Sequence, residues 1–239
     1  MNARTLAIAV LIATLTFALA PLFTPGFNGF TPDQFPVRQF YPSIQPAGYA
    51  FSIWGLIYPW LIIGAAFGVW QAADDPDWRA MRLPLVISLI IGTFWIAIAN
   101  IAPIWATLMI VVMAAAAIAA MLRAGRNQPW LQLRPVALYA GWLTAATGVA
   151  IGIVLGGYAI LSEQSAAILC LIGVIVVALG VQTARPREWG YPAAIVWALI
   201  GVIVANISDA NWPVIGLAAL GMVVLVLRAV RAIMKGPTQ

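Results

Sequence analysis

Apolar residues run along this chain in stretches of about 20, separated by short polar connections, and the pattern repeats from end to end. As a helix rising about 1.5 Å per residue, each stretch can cross a ~30 Å hydrocarbon core. The runs predict spans near Thr5–Phe23, Gly48–Gln71, Leu83–Ile101, Pro103–Leu122, Pro135–Leu155, Ser165–Thr183, Tyr191–Ile207 and Trp212–Val230. The fold class that follows is all-α, a polytopic transmembrane helical bundle of about eight spans. Composition agrees, at 64% hydrophobic and 8% charged.

Charge then orients the bundle. An even number of spans puts both termini on the same side as the second, fourth and sixth connections. That side carries Arg4, Arg79, Arg82, Arg123, Arg126, Arg134, Arg185, Arg187, Arg228, Arg231 and Lys235; the other carries only Arg38. Basic residues are retained in the cytoplasm, so both termini are expected there, in a multi-pass membrane protein. The net charge of +5 reflects this bias. Without a basic helix face or an aromatic-interleaved arginine patch, it does not indicate nucleic-acid binding. Arg4, an apolar run and Ala18-Leu19-Ala20 imitate a secretory signal, but Pro21 directly after that site disfavours cleavage. The run is expected to stay as the first helix.

The first external connection, Thr24 to Ala47, is the long one. Pro25, Pro32, Pro36, Pro42 and Pro46 forbid a regular helix there. Phe27, Phe30, Phe35, Phe40 and Tyr41 argue for an ordered lid across the mouth of the bundle. The alternative is an aromatic belt at headgroup level. On the internal side, Asp74-Asp75-Pro76-Asp77 in the Ala72–Arg82 connection lacks the further oxygen ligands of a calcium loop, so a solvated loop or a helix cap is expected. Gly64 with Gly68, and Gly148, Gly152 and Gly156, have the four-residue spacing that lets helix backbones approach closely.

The chain has no histidine and one cysteine. It therefore has no imidazole to hold a haem iron and no ligand set for zinc, and Cys170 is expected to be a small core residue. No ionisable side chain falls near the middle of a predicted span, which lowers the expectation of a pump, of proton-coupled transport and of catalysis. What remains inside is aromatic and mildly polar: Ser52, Trp54, Tyr58, Ser88, Thr93, Trp95, Asn100, Trp105, Tyr139, Trp142, Thr144, Thr147, Trp197 and Asn206. Flat rings with a few hydroxyls and amides suit a planar hydrophobic ligand better than an ion.

Two stretches carry a family resemblance. Pro46-Ala47-Gly48-Tyr49-Ala50-Phe51-Ser52-Ile53-Trp54-Gly55-Leu56-Ile57-Tyr58 resembles the entry to the second helix in the TspO/MBR, or tryptophan-rich sensory protein, family. Tyr139-Ala140-Gly141-Trp142 followed by Ala146-Thr147 resembles its fifth helix, and Trp95 matches on the third. Against the compact family pattern, the Phe51-to-Trp54 step is one residue shorter, Tyr49 stands for Trp, and Gly92 and Ala150 stand for Asn. The resemblance covers residues 1–157 as a five-helix unit; residues 158–239 form a three-helix extension, as in longer bacterial relatives.

The resemblance implies a cavity beneath the first external loop, with Phe51, Trp54, Tyr58, Trp95, Tyr139, Trp142 and Thr147 as ligand-binding residues. It also implies a porphyrin or related tetrapyrrole as ligand, no obligatory cofactor or metal, and a sensory, regulatory or transport role in the bacterial inner membrane. Other expected partners are the lipid bilayer and a homo-oligomer or larger membrane complex. A second reading is an accessory subunit of a pigment-protein or respiratory complex. An enzyme is not expected, because no nucleophile–base pair is present.

Overall fold

The computed structural model describes residues 2–234, so Lys235 lies outside the described residues. Among those residues it contains eight α-helices and no strand: α1 Ala3–Leu19, α2 Trp54–Trp70, α3 Pro76–Ala99, α4 Pro103–Arg123, α5 Leu133–Gly157, α6 Glu163–Ala184, α7 Gly190–Asn206 and α8 Trp212–Met234. Seven helical segments are long and apolar enough to cross a membrane. At 17 residues, α7 lies at the lower limit of spanning length.

Side-chain hydrogen bonds show which helix ends lie together. Arg82 near the start of α3 donates to Ala3 O at the start of α1, and to Gly68 O, Ala72 O and Ala73 O at the end of α2. Arg185 after α6 donates to Leu122 O and Ala124 O at the end of α4. Arg228 of α8 donates to Thr183 Oγ1 of α6. These ends form one basic face, which the positive-inside rule assigns to the cytoplasm.

The third span starts earlier than its apolar run. Pro76 occupies the first turn of α3, and the Asp75 carboxylate accepts from Asp77 N at 2.9 Å, an N-cap. Asp77, Arg79 and Arg82 are therefore helical: of the two expectations for the acidic run the helix cap holds, and the connection ends at Asp75 and not at Arg82. The arginine could not be read as helical from hydropathy. It is buried nonetheless (1% exposed), because the end of α2 leaves carbonyls that only a multi-donor side chain can satisfy.

Helix α5 is the central strut, packing against α2, α4, α6 and α7. One contiguous core runs through residues of all the helices, from Val10 and Phe17 of α1 to Ala218 and Leu225 of α8. The α5 glycines divide their work. A Cβ at Gly148 would collide with Val174 of α6, which is close helix packing. Gly152 and Gly156 seat the external loop: added Cβ atoms would lie 3.0 Å from Ile44 and from the Gln39 amide oxygen. Both also face α6, with Cys170 Sγ and Glu163 Cα 3.6 Å from the added Cβ atoms, so the loop contacts add to the expected helix–helix approach.

Candidate ligand cavity beneath an aromatic lid

The external loop is held by α5, α6 and α7. Val37 N donates to Gly157 O at 2.9 Å and Ala47 N to Gly201 O at 3.0 Å. Asn206 Nδ2 donates to Ser43 O at 2.7 Å. Ser43 N donates to the Glu163 carboxylate at 2.6 Å. On the α3 side, Gln34 Nε2 donates to Ala99 O at 2.8 Å. Phe27 stacks edge-on against Trp95 at 4.9 Å, Phe30 against Phe35 at 5.8 Å, and Phe35 against Tyr158 at 6.0 Å. The loop is an ordered lid. Phe40 and Tyr41 are not packed into it: they stand 63% and 89% exposed.

Under the lid lies a cavity of about 230 Å³. Phe17 and Pro21, Phe51, Trp54 and Tyr58, Gly92 and Trp95, Ile110 and Met113, and Trp142 line it, with Phe27 as roof. Each of α1 to α5 contributes, α2 together with the turn that precedes it. A lobe of about 50 Å³ continues toward Gln45, Pro46 and Ala150 and shares Phe51, Trp95 and Trp142.

The local fold explains the shortened motif. Gly48–Ile53 is a 3₁₀ helix that passes into α2 at Trp54. With three residues per turn, positions three apart share a face. Phe51 and Trp54 accordingly both meet Trp142, edge-on at 5.8 and 6.3 Å. Beyond Trp54 the helix is α, and Tyr58 follows one turn later, stacked on Trp54 at 4.8 Å. The missing residue is absorbed by a change of helix type.

Five of the seven expected site residues thus share one cavity: Phe51, Trp54, Tyr58, Trp95 and Trp142. The other two do not line it. Tyr139 is 0% exposed; its ring packs on Phe17 at 5.6 Å and its hydroxyl shares a hydrogen bond with Ser88 Oγ at 2.9 Å. It supports the wall from behind. Thr147 bonds Leu143 O at 2.8 Å and lines a separate cleft between α4 and α6. Tyr139 lies one turn before Trp142 on the same face of α5 but is covered by Phe17, whereas Thr147, five residues on, is turned about 140° away from Trp142.

Phe17 is the residue the sequence did not single out. Its ring makes edge contacts with Trp54, Tyr58 and Tyr139 at 5.4 to 5.7 Å. The signal for it was Gly92, standing where the compact pattern has Asn. A Cβ there would come within 2.6 Å of the Phe17 ring, so the glycine makes room for the phenylalanine.

Trp95 is fixed by an indole bond to Ala106 O at 2.8 Å. Trp54 Nε1, Trp142 Nε1 and Tyr58 Oη make no hydrogen bond among the described residues.

A family model described as TSPO-like protein matches residues 4–231. The chain belongs to the TSPO-like family. The match runs from α1 into α8, so the membership of this TSPO-like protein includes the last three helices as well as those around the cavity. No curated protein and no solved structure matches it.

Proposed function

We propose that this TSPO-like protein binds a flat, largely apolar small molecule under the lid, in a sensory, regulatory or transport role in the bacterial inner membrane. The observation that carries the reading is the convergence of Phe51, Trp54, Tyr58, Trp95 and Trp142 on one cavity. Planar rings recognise a planar ligand by dispersion and edge contacts. The two indole N–H groups and the phenol, which no protein group engages among the described residues, would orient an acceptor on its rim. The reading is of binding without chemistry: the lining residues include no carboxylate, amine, guanidinium or thiol.

Tetrapyrrole is the family's suggestion, and size decides how it would enter. Cavity and lobe together fall short of the ~300–1,000 Å³ of sites for drug-sized ligands. As closed, the space suits two or three fused rings. A porphyrin would require Phe27 to swing off Trp95, and it would be held without an imidazole ligand, since the chain has no histidine.

The test is a titration of the purified full chain with a porphyrin and with a three-ring planar hydrocarbon, read by tryptophan quenching. Saturable quenching that weakens in Trp54→Ala and Trp142→Ala supports the reading. Quenching that never saturates, or that both variants leave unchanged, refutes it.

A further inference from the structure

A second apolar space lies outside the family cavity. Helices α4 and α6 both pack on α5 and make no substantial contact with each other. The gap between them is a cleft of about 390 Å³. Gly148 and Ile151 of α5 lie at its floor, Ile118 of α4 forms one wall, and Leu169, Gly173 and Val177 of α6 form the other. Leu169 and Val177 are about half exposed. A Cβ built on Gly173 meets nothing within 4 Å.

The cytoplasmic end of this cleft is basic. Arg185 reaches from the end of α6 to the last carbonyls of α4 and so bridges the two walls. Arg123 ends α4 and Arg126 follows it; both are exposed. None of the three forms an ion pair among the described residues, where the one salt bridge is Arg38–Asp33. Burial first, and then the neighbouring Arg126 charge, push the Arg185 guanidinium below its ordinary value, against opposing pulls from Glu188 and Asp77. Three cations are therefore gathered where a helix pair opens into a greasy slot. Ile118 precedes Arg123 by five residues, about 7.5 Å of helix, a short step for a lipid glycerol region.

We propose that the α4–α6 cleft is a binding site for one anionic membrane phospholipid, with its phosphate on Arg123, Arg126 and Arg185 and one acyl chain in the slot. Charge complementarity selects the headgroup, as basic pockets between membrane helices do. The depth and apolar walls of the slot select a chain. The site stands apart from the ring-lined cavity and does not depend on what that cavity binds.

Native mass spectrometry of the full chain, titrated with phosphatidylglycerol and with phosphatidylcholine of the same acyl chains, tests this. The expected result is retention of a single phosphatidylglycerol well above phosphatidylcholine. R126Q should lower that preference roughly fivefold, and R123Q/R126Q by about the square of it. Gly173→Leu, which fills open space and should fold, should weaken both lipids while leaving their ratio unchanged. Equal retention of the two lipids in wild type would overturn the proposal. So would unaltered binding in Gly173→Leu, or a change of oligomeric state in that variant without loss of lipid, which would make the cleft an interface between copies.

Discussion

Trp54 and Tyr58 stack one helical turn apart, with ring centres 4.8 Å apart and planes 19° from parallel. Phe17 closes on both edge-first, at 5.7 and 5.4 Å. This triad forms the α1–α2 side of the cavity, and its rigidity sets the shape offered to a ligand. Removing Trp54 takes away one stacking face. Trp54→Ala should weaken a planar ligand roughly three- to tenfold, measured by quenching of the remaining tryptophans.

Phe17 has a structural share as well. Truncating a buried ring that touches three others leaves a void that lipid does not fill. Phe17→Ala should cost about 3 kcal/mol or more, seen as a lower midpoint in thermal unfolding in detergent. Gly92→Ala tests the same packing from the other side. Its Cβ would press on Phe17 at 2.6 Å and on Met113 at 3.0 Å. The phenylalanine must then shift, which should cost about 1–3 kcal/mol and alter ligand affinity along with stability.

Arg82 joins three helix ends through four carbonyls. A lysine places three donors on one point and cannot reproduce the planar fork. Arg82→Lys should lose about 1–3 kcal/mol, and Arg82→Ala more. Proteolysis at the 71–75 connection should rise in step with the loss.

Glu188 gives the basic face a pH response. Burial holds its carboxyl above the usual carboxylate range, against smaller opposing pulls from its bond to Gly190 N and from Arg134 and Arg185. Between the unfolded value, about 4.3, and the raised folded value, the native chain keeps a proton that the unfolded chain has lost. Stability contributed by this group is therefore present at low pH and falls as pH rises through that window. Glu188→Gln keeps an acceptor for Gly190 N and cannot ionise. Its melting temperature should gain on wild type as pH rises from 4 to 7, and a constant difference would contradict the assignment.

The lid is tied to α6 and α7 as well as to the first five helices. Asn206 of α7 holds Ser43 O while bonding Val202 O at 2.8 Å. Asn206→Ala should speed amide exchange at Gln45, whose N–H bonds Pro42 O across the turn, and leave exchange in α2 unchanged.

The spans, the basic face and the aromatic set Phe51, Trp54, Tyr58, Trp95 and Trp142 were legible in the sequence. Hydropathy, arginine placement and a short motif are local, one-dimensional properties that a bilayer converts directly into topology. Tertiary structure decided the rest. It bent the Phe51–Trp54 step into a 3₁₀ turn, covered Tyr139 with Phe17, set Thr147 on another face of α5, and drew Phe17 into the space that Gly92 leaves. It also buried Arg82 against carbonyls from two other helices and seated the lid on Gly152 and Gly156. Each of these depends on which residues from distant parts of the chain meet across a packed interface. An apolar run specifies that a helix is buried in lipid or protein; it does not specify which of its faces meets which neighbour, because every face of such a helix is apolar.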